Sequence, residues 1–528
     1  MTTSALLAAL FIGSFFHIDL GPKIMSPLAY DMPPAYVASI SGDLPADKAP
    51  AAEKITPNTA WWTLFNEPVL NLCVDEAFRR NRDLEAALAA VAQSRASFKA
   101  ARGEQRPSLN AQLDVSRSYI LGGADGKRDE TNVIEPAGGV SYEMDLWGKL
   151  QKATRAAREN ILATEAAKDT IRLSLAGEVA KNYFSLRASD RQIQIAQENL
   201  KSQQRTLELS KYQYEQGQVS ELEVRRNEAL VASTAVQVQQ LQLAMTQYET
   251  SLLLLMGRDP KEFASREVPR GAHIAELPPC PAIPEGLPAQ LLTQRPDILQ
   301  SVFNYRTALA NIGSAKAAQY PTISLSGLIG NINNTPGTML DGPTGWAAAA
   351  GVVAPLYNGG KLAANVRKNE AAAQQALAQY YKTVQNAMKE TIDAITANEK
   401  SEAVVSLEVK QEEAQRRAYE LARTQYLDGM TSQLDLLDAQ RSLLAVQLQL
   451  EGSRADRLNS AVSLCLALGG GWQYRAADDL ETKELPTPWK DKKSEEKSSN
   501  FLKGLAEFGS YAIISPVDCA DIAQLVEH

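Results

Sequence analysis

The apolar and polar positions of this 528-residue chain follow two rhythms in turn, and the whole alternation is written twice. From Asn81 to Gly103 an Ala- and Leu-rich stretch of good helix formers predicts a helix, which Pro107 stops. The period then becomes two. Leu109, Ala111, Leu113 and Val115 alternate with Asn110, Gln112, Asp114 and Ser116, the pattern of a half-buried strand. A loop from Gly122 to Asp129 leads to a second such run, with Val140, Tyr142, Met144 and Leu146 on one face against Ser141, Glu143 and Asp145. Two strands make one hairpin. From Lys149 to about Tyr214 there is no proline and a single glycine, Gly177. That stretch predicts one helix, or two stacked end to end, of roughly 100 Å. Ile193, Leu200, Leu207 and Tyr214 stand seven apart and predict a heptad seam. The chain turns at Gly217 and returns as a helix from about Ser220 to Met256. Because this return is shorter, the helix before the first strand is expected to complete the antiparallel pair.

A second copy follows at a constant offset from the first. Gly148-Lys149-Leu150 recurs as Gly360-Lys361-Leu362, Tyr214 with Gly217, Ser220 and Leu222 as Tyr426 with Gly429, Ser432 and Leu434, and Gly257 as Gly469. A helix is predicted from Pro296 to Gln319, a strand from Ile323 to Ile329, an Asn-rich loop from Asn331 to Gly342 and a return strand from Trp346 to Leu356. The second long helix starts after Gly359-Gly360, carries Leu407, Ala414 and Leu421 on its predicted seam, and turns at Gly429. A duplication of this size means two similar halves about a pseudo-symmetry axis, not a solenoid of short repeats. The expected organisation is a lead over 1–60, a first repeat over 61–258, a Pro-rich linker over 259–288, a second repeat over 289–472 and a charged, disordered tail over 473–528.

Composition narrows the class. Aromatic residues are only 6% of the chain, which favours helices meeting along narrow seams over a thick globular core. The net charge of -8 and pI near 5.3 exclude a nucleic-acid binder. Cys73, Cys280, Cys465 and Cys519 lie far apart without a CxxC pair and read as isolated thiols. The three histidines, His17, His273 and His528, fall outside the duplicated motifs. No metal site, no cofactor and no enzymatic chemistry is expected. Ala5 to Phe16 is an apolar run of signal-peptide length, too short to span a bilayer. No cysteine precedes Cys73, so an acylation site is missing from this sequence, and either its start is misassigned or this copy is unacylated.

Four strands per chain cannot close a barrel, yet a sheet facing lipid must have no open edge. Oligomerisation would close it. The pattern therefore predicts a hairpin-bearing membrane end joined to helices longer than a bilayer is thick.

The strand-to-helix junctions Tyr142 to Leu150 (YEMDLWGKL) and Ala354 to Leu362 (APLYNGGKL), with the turns Tyr214 to Val224 (YEQGQVSELEV) and Tyr426 to Gln440 (YLDGMTSQLDLLDAQ), resemble the TolC-like outer-membrane efflux factors. The lead Trp61 to Leu84 looks like the drug-efflux lipoprotein branch, the NodT group. The resemblance covers about Pro33 to Trp472. It implies an α+β membrane protein: a tandem-duplicated long-helix barrel with two β-hairpins per chain, closing as a homotrimeric twelve-stranded outer-membrane β-barrel over a periplasmic helical tunnel. It also implies contact with outer-membrane lipid, a periplasmic adaptor protein and an inner-membrane RND-type pump.

The same resemblance assigns sites. Asp435 and Asp438 match acidic rings at a periplasmic constriction, which would attract cations. Glu223 and Tyr426 match the acid and tyrosine of an inter-helix clasp, while Thr431 stands where the family has an arginine. Gly217, Ser220, Gly429 and Ser432 form the helix-tip turns, and Gly148, Gly359 and Gly360 the strand-helix junctions. Two alternatives stay open from sequence: a type I secretion duct for protein cargo, sharing the fold, and a non-conducting periplasmic coiled-coil scaffold.

Overall fold

A computed structural model describes residues 60–121, 128–265, 267–274, 277, 295–331 and 344–470. The signal-like run, both hairpin loops apart from their strand ends, the later part of the Pro-rich linker and the C-terminal tail lie outside these residues. After a 3-10 turn at Trp61–Phe65, the first copy contains α1 (Pro68–Arg80), α2 (Arg82–Gly103), β1 (Ser108–Leu121), β2 (Arg128–Met144), α3 (Lys149–Glu215) and α4 (Glu221–Leu255). A single turn, α5 (Glu262–Ser265), precedes the second copy: α6 (Pro296–Ala317), β3 (Thr322–Asn331), β4 (Thr344–Val353), α7 (Lys361–Leu427) and α8 (Gln433–Ala467).

The long helices α3 and α7 are each 67 residues and unbroken, roughly 100 Å at 1.5 Å per residue. Of the two sequence alternatives, the single continuous helix is the one formed. Gly177 costs α3 some propensity but serves packing: a Cβ there would lie 2.4 Å from Leu466 of α8. The shorter helices α4 and α8 are each 35 residues, so they flank only part of the long ones. The remainder is flanked by α2 and α6, as the sequence leads one to expect.

Side chains splice the short helices end to end. Asn81 accepts from the Asp83 and Leu84 amides, capping α2, and its Nδ2 donates to the Leu255 carbonyl at the end of α4 (2.9 Å). In the second copy Arg295 does the equivalent work. Its guanidinium donates to the Ala467 carbonyl ending α8 (3.1 Å) and to Asp297 and Glu390. Both splices satisfy carbonyls that a helix end otherwise leaves unpaired.

The low aromatic content conceals a thick local core. Trp61, Phe65, Tyr183 and Phe184 meet edge to face, with Phe65 and Phe184 centroids 5.1 Å apart, and Leu70, Leu253, Met256 and Leu458 close around them. The expectation of thin packing throughout is thus corrected: large side chains are concentrated midway along α3, where the lead and the splice meet it. A polar knot pins the following segment to the same place. Arg187 donates to the Gly271 and Ala272 carbonyls and to Asp190, Arg270 pairs with Asp190 and Glu249, and buried Glu67 accepts from the Ala272 amide. Cys73 is buried beside this core, and burial pushes its thiol up to about 12, so it is an inert packing group.

The predicted seam holds over part of α3 and is displaced in phase in α7. In α3 Ile193 is buried and Leu200 packs against Ile195 and Ala196, but Tyr214 is exposed, and the heptad that stays buried toward the tip is Ala196, Gln203 and Ser210. In α7 the inward positions include Val405, Glu408 and Tyr426, and Leu407 and Leu421 point outward. A wall helix has neighbours on two sides, and an apolar heptad does not say which side lies within its own chain.

β1 to β4 form one antiparallel sheet in chain order. β2 begins at Arg128, earlier than the predicted loop allows, and pairs with β1 from Ser141↔Ser108 to Arg128↔Leu121. The copies join where β2 meets β3, with Tyr142 opposite Leu325. Below that joint Trp147 stacks on Tyr320 and donates to the Pro321 carbonyl (2.6 Å).

Gly257 and Gly469 both have positive φ, 67° and 84°, so an alanine at either strains the backbone by about 1–2 kcal/mol. Only at Gly257 would the new Cβ strike backbone, 2.1 Å from the Arg80 carbonyl oxygen; at Gly469 its nearest neighbour is 3.5 Å away. Gly257→Ala is therefore expected to destabilise by about 1–3 kcal/mol more than Gly469→Ala. Equal midpoints in denaturant unfolding would contradict the tight first splice.

Candidate functional site

Each long helix ends in the same hydrogen-bonded reversal. Gly217 donates to the Tyr214 carbonyl and Gln218 to the Gln213 carbonyl; Gly429 and Met430 repeat this to Tyr426 and Gln425. These are Schellman motifs, in which a residue of positive φ lets the last carbonyls bond forward. Gly217 (φ 71°) and Gly429 (φ 73°) supply it at no side-chain cost. The tips therefore have defined backbone edges. Gly148, Gly359 and Gly360 also take positive φ, at the entries to α3 and α7.

The side chains at the tips differ between copies. Ser432 and Asp435 form a capping box at the start of α8: Ser432 Oγ accepts from the Asp435 amide, and Asp435 Oδ2 accepts from the Ser432 amide. Thr431 Oγ1 donates to the same carboxylate oxygen (2.8 Å). The arginine position of the expected clasp thus belongs to the cap. Bonds from the Ser432 and Thr431 hydroxyls and the Ser432 amide hold the Asp435 carboxyl below the usual aspartate range. A depressed pKa means the box is at full strength at neutral pH. It weakens only as acid below about pH 3.9 protonates the carboxylate.

At the matching place in the first copy Ser220 makes no side-chain cap. Glu223, equivalent to Asp435, lies close enough to Tyr426 for its charge to act on the phenol. Partial burial and then the Glu223 charge raise the Tyr426 phenol above its ordinary value. The two are neighbours without a hydrogen bond between them among the described residues. Asp438 is exposed and, among the described residues, has no hydrogen bond or ion pair. So of the two expected gate acids, one is tied into a cap and the other is free.

Two features were missed in the sequence reading. Arg226 is the first-copy equivalent of Asp438, on the same offset that takes Gly217 to Gly429, so opposite charges occupy equivalent positions of the two tips; the repeat spacing alone signals this. Asn227 Nδ2 donates to Ser210 Oγ (2.8 Å) in a buried polar tie between α3 and α4, where the second copy has Ala439 and Ala422. The tips also expose Leu222, Leu427, Met430 and Leu434.

At the opposite end the sheet shows one apolar face, with Leu109, Leu113, Val115, Ile329, Trp346 and Val352 exposed. β1 and β4 each pair on one side only among the described residues. No described helix is long and apolar enough to cross a membrane.

With this geometry in place, comparison with known proteins identifies the family. Residues 73–258 and 287–470 match the family described as "Outer membrane efflux protein". The chain belongs to that family. It is 30% identical over 470 residues to the probable efflux pump outer membrane protein TtgC of Pseudomonas putida, covering 88% of this chain and 94% of that one. It is 30% identical over 418 residues to the cation efflux system protein CusC of Escherichia coli, covering 79% and 89%. The open state of the Neisseria gonorrhoeae MtrE outer membrane channel superposes with a TM-score of 0.74 at 26% identity, covering 86% and 98%. The efflux family thus supplies the setting for both ends: the sheet belongs to the outer membrane, and α3, α4, α7 and α8 are the long helices of the fold.

Ser432→Ala is expected to loosen the first turn of α8 by about 1 kcal/mol. Ser220→Ala should be nearly silent because that serine makes no cap bond. Hydrogen exchange of the amides after each turn checks this; equal effects would mean that the asymmetry of the two caps is not real.

Proposed function

We propose that this outer membrane efflux protein is a passive exit duct. Three copies close their sheets into one barrel, and their long helices form a periplasmic tunnel that opens and closes at the Gly217 and Gly429 turns. The observation that carries this reading is an apolar-faced sheet with two open edges, continuous with helices of 67 residues that are not themselves apolar enough to enter lipid. A scaffold in water has no use for such a face. Cargo is small-molecule, in keeping with an efflux pump component and a cation efflux component among the relatives. Energy comes from an inner-membrane pump. The exposed Leu427, Met430 and Leu434 at the tips fit contact with a periplasmic adaptor.

Asp438 supplies the adjustable charge at the constriction, since Asp435 is committed to its cap. Around the axis, Asp438 of the second copy alternates with Arg226 of the first, which limits the net negative field to a local one. The Glu223–Tyr426 neighbourhood is the contact between the two tips that a small approach converts into a hydrogen bond, closing the duct.

Planar-bilayer conductance, with oligomeric mass measured on the same detergent-purified sample, tests the reading. A trimer with small, salt-responsive currents is expected; a soluble, non-conducting assembly contradicts it. Asp438→Asn is expected to reduce cation preference and to flatten the salt dependence, and unchanged selectivity would remove Asp438 from the constriction. Tyr426→Phe is expected to raise spontaneous opening. If opening frequency stays at the parent level, the hydroxyl takes no part in closure.

A further inference from the structure

The duplication carries a rule for the sheet's open edges. Two anchors equate the copies in sequence: Pro107 with Pro321 places Ser108 on Thr322, and Gly148 with Gly360 places Ser141 on Val353. The two hairpins then superpose without slip, since Ser108↔Ser141 in the first becomes Thr322↔Val353 in the second, and that pair is the one formed. Between copies, β2 meets β3 with Ser141 opposite Ser326 and Tyr142 opposite Leu325. Carrying this contact through the same equivalences gives β4 a partner: a β1 with Gln112 opposite Val353 and Leu113 opposite Val352. The β1 of the same chain sits at the far edge of the sheet, beyond β2 and β3. The partner is therefore a second copy of this chain.

We propose that β4 pairs antiparallel with β1 of a neighbouring copy in this register, placing Val352 against Leu113, Ala350 against Val115 and Ala349 against Ser116. The inference rests on the closed-barrel reading above and adds to it which residues form the seam.

Three observations that did not enter the derivation agree with it. The first is the pleat. In β4 the side carrying Trp346 and Val352 is the apolar one, opposite Ile329 and Ile323 in β3. The derived register sets that side against Leu113 and Val115, and sets Ala349 and Gly351 against Ser116 and Asp114. A slip of one residue would place each apolar face beside a polar one. The second is exposure. β2 remains paired through Met144, opposite Ile323; the equivalences turn this pair into Leu356 opposite Leu109. Leu356 is 95% exposed and Leu109 79% exposed in the single chain, and the seam brings these two apolar groups together. The third is charge. Glu159 and Arg306 approach to 3.9 Å across the joint between copies. Their counterparts at the seam are Ala371 and Ala92, both exposed, so the seam between chains leaves neither half of that ion pair without its partner.

The register also accounts for the early end of β4. β2 runs to Met144, whereas β4 stops at Val353, short of Leu356, the equivalent of Met144. Pro355 has no amide hydrogen to offer a neighbour, and Ala354 to Leu356 become strand only when β1 of another copy lies beside them.

The test is oxidative cross-linking of the full-length protein in detergent, carrying Val115→Cys with Ala350→Cys, and separately Ser116→Cys with Ala349→Cys. These are adjacent pairs, so one of them is the closer, non-hydrogen-bonded type suited to a disulfide. Leu325→Cys with Ala350→Cys, a pair formed within one chain, is the reference for thiol reactivity. Leu113→Cys and Arg117→Cys, each with Ala350→Cys, report a register slipped by one pair along the same face. At least one derived pair should give covalent multimers on a non-reducing denaturing gel, several-fold above either slipped pair. A slipped pair that outpaces both, or a multimer in which the reference links and neither derived pair does, overturns the register and leaves the closed barrel standing. A monomeric native mass with no link between chains overturns both.

Discussion

The constraint behind the whole architecture is the unpaired backbone at the outer edges of β1 and β4. In lipid no water meets an unbonded amide or carbonyl, and each one left unpaired costs several kcal/mol, of the order of the stability of a whole domain. The described residues of one chain supply four strands, too few to curl round on themselves, so the apolar face is stable in a bilayer only within a larger ring. The helices inherit that ring. Each strand pair continues through a glycine junction into α3 or α7, so the circumference set by the sheet also sets how many long helices stand around the tunnel.

Much of this was legible in the residues because the fold uses periods that differ sharply. The period-two runs after Pro107 and Pro321 became strands, and the proline-free stretches became helices whose ends fall within a residue or two of the expected turns. The repeat spacing also survived as geometry: four helices end in the same glycine reversal, at Gly217, Gly257, Gly429 and Gly469. What failed was phase. Leu407 and Leu421 carry an apolar heptad that points away from their own chain, because a helix in a closed wall packs on two flanks and a sequence does not name the owner of each. Average composition misled in a similar way, since a low overall aromatic content does not preclude a local cluster such as Trp61, Phe65, Tyr183 and Phe184 at one level of α3.

The tip shows where residue identity and residue role part. Asp435 has the acid and the post-turn position expected of a constriction, but two hydroxyls and an amide already occupy its carboxylate. The pattern Ser432-x-x-Asp435 contains the signature of a helix start, and that local reading competes with the one borrowed from resemblance. Asp438, one turn further along, is exposed and without such bonds among the described residues, which is why the proposed duct rests its constriction charge on it.

The two copies keep one backbone and diverge in chemistry. Asn81 and Arg295 splice the helices with different donors, Ser210 and Asn227 are replaced by Ala422 and Ala439, and Arg226 gives way to Asp438. Backbone joints tolerate little variation, because a wall that must close allows no slip between strands. Tip side chains carry no such burden. A ring of three identical chains built this way has near six-fold symmetry in its walls and only three-fold symmetry at its helix tips. Alternate helix pairs around the axis are then held differently: the first by a buried polar tie, the second by small alanines that leave neighbouring helices less to break when they move. In the duct proposed above, an opening that spreads one pair in two would need less rearrangement than one that spreads all six, and the difference between the two tips supplies that division.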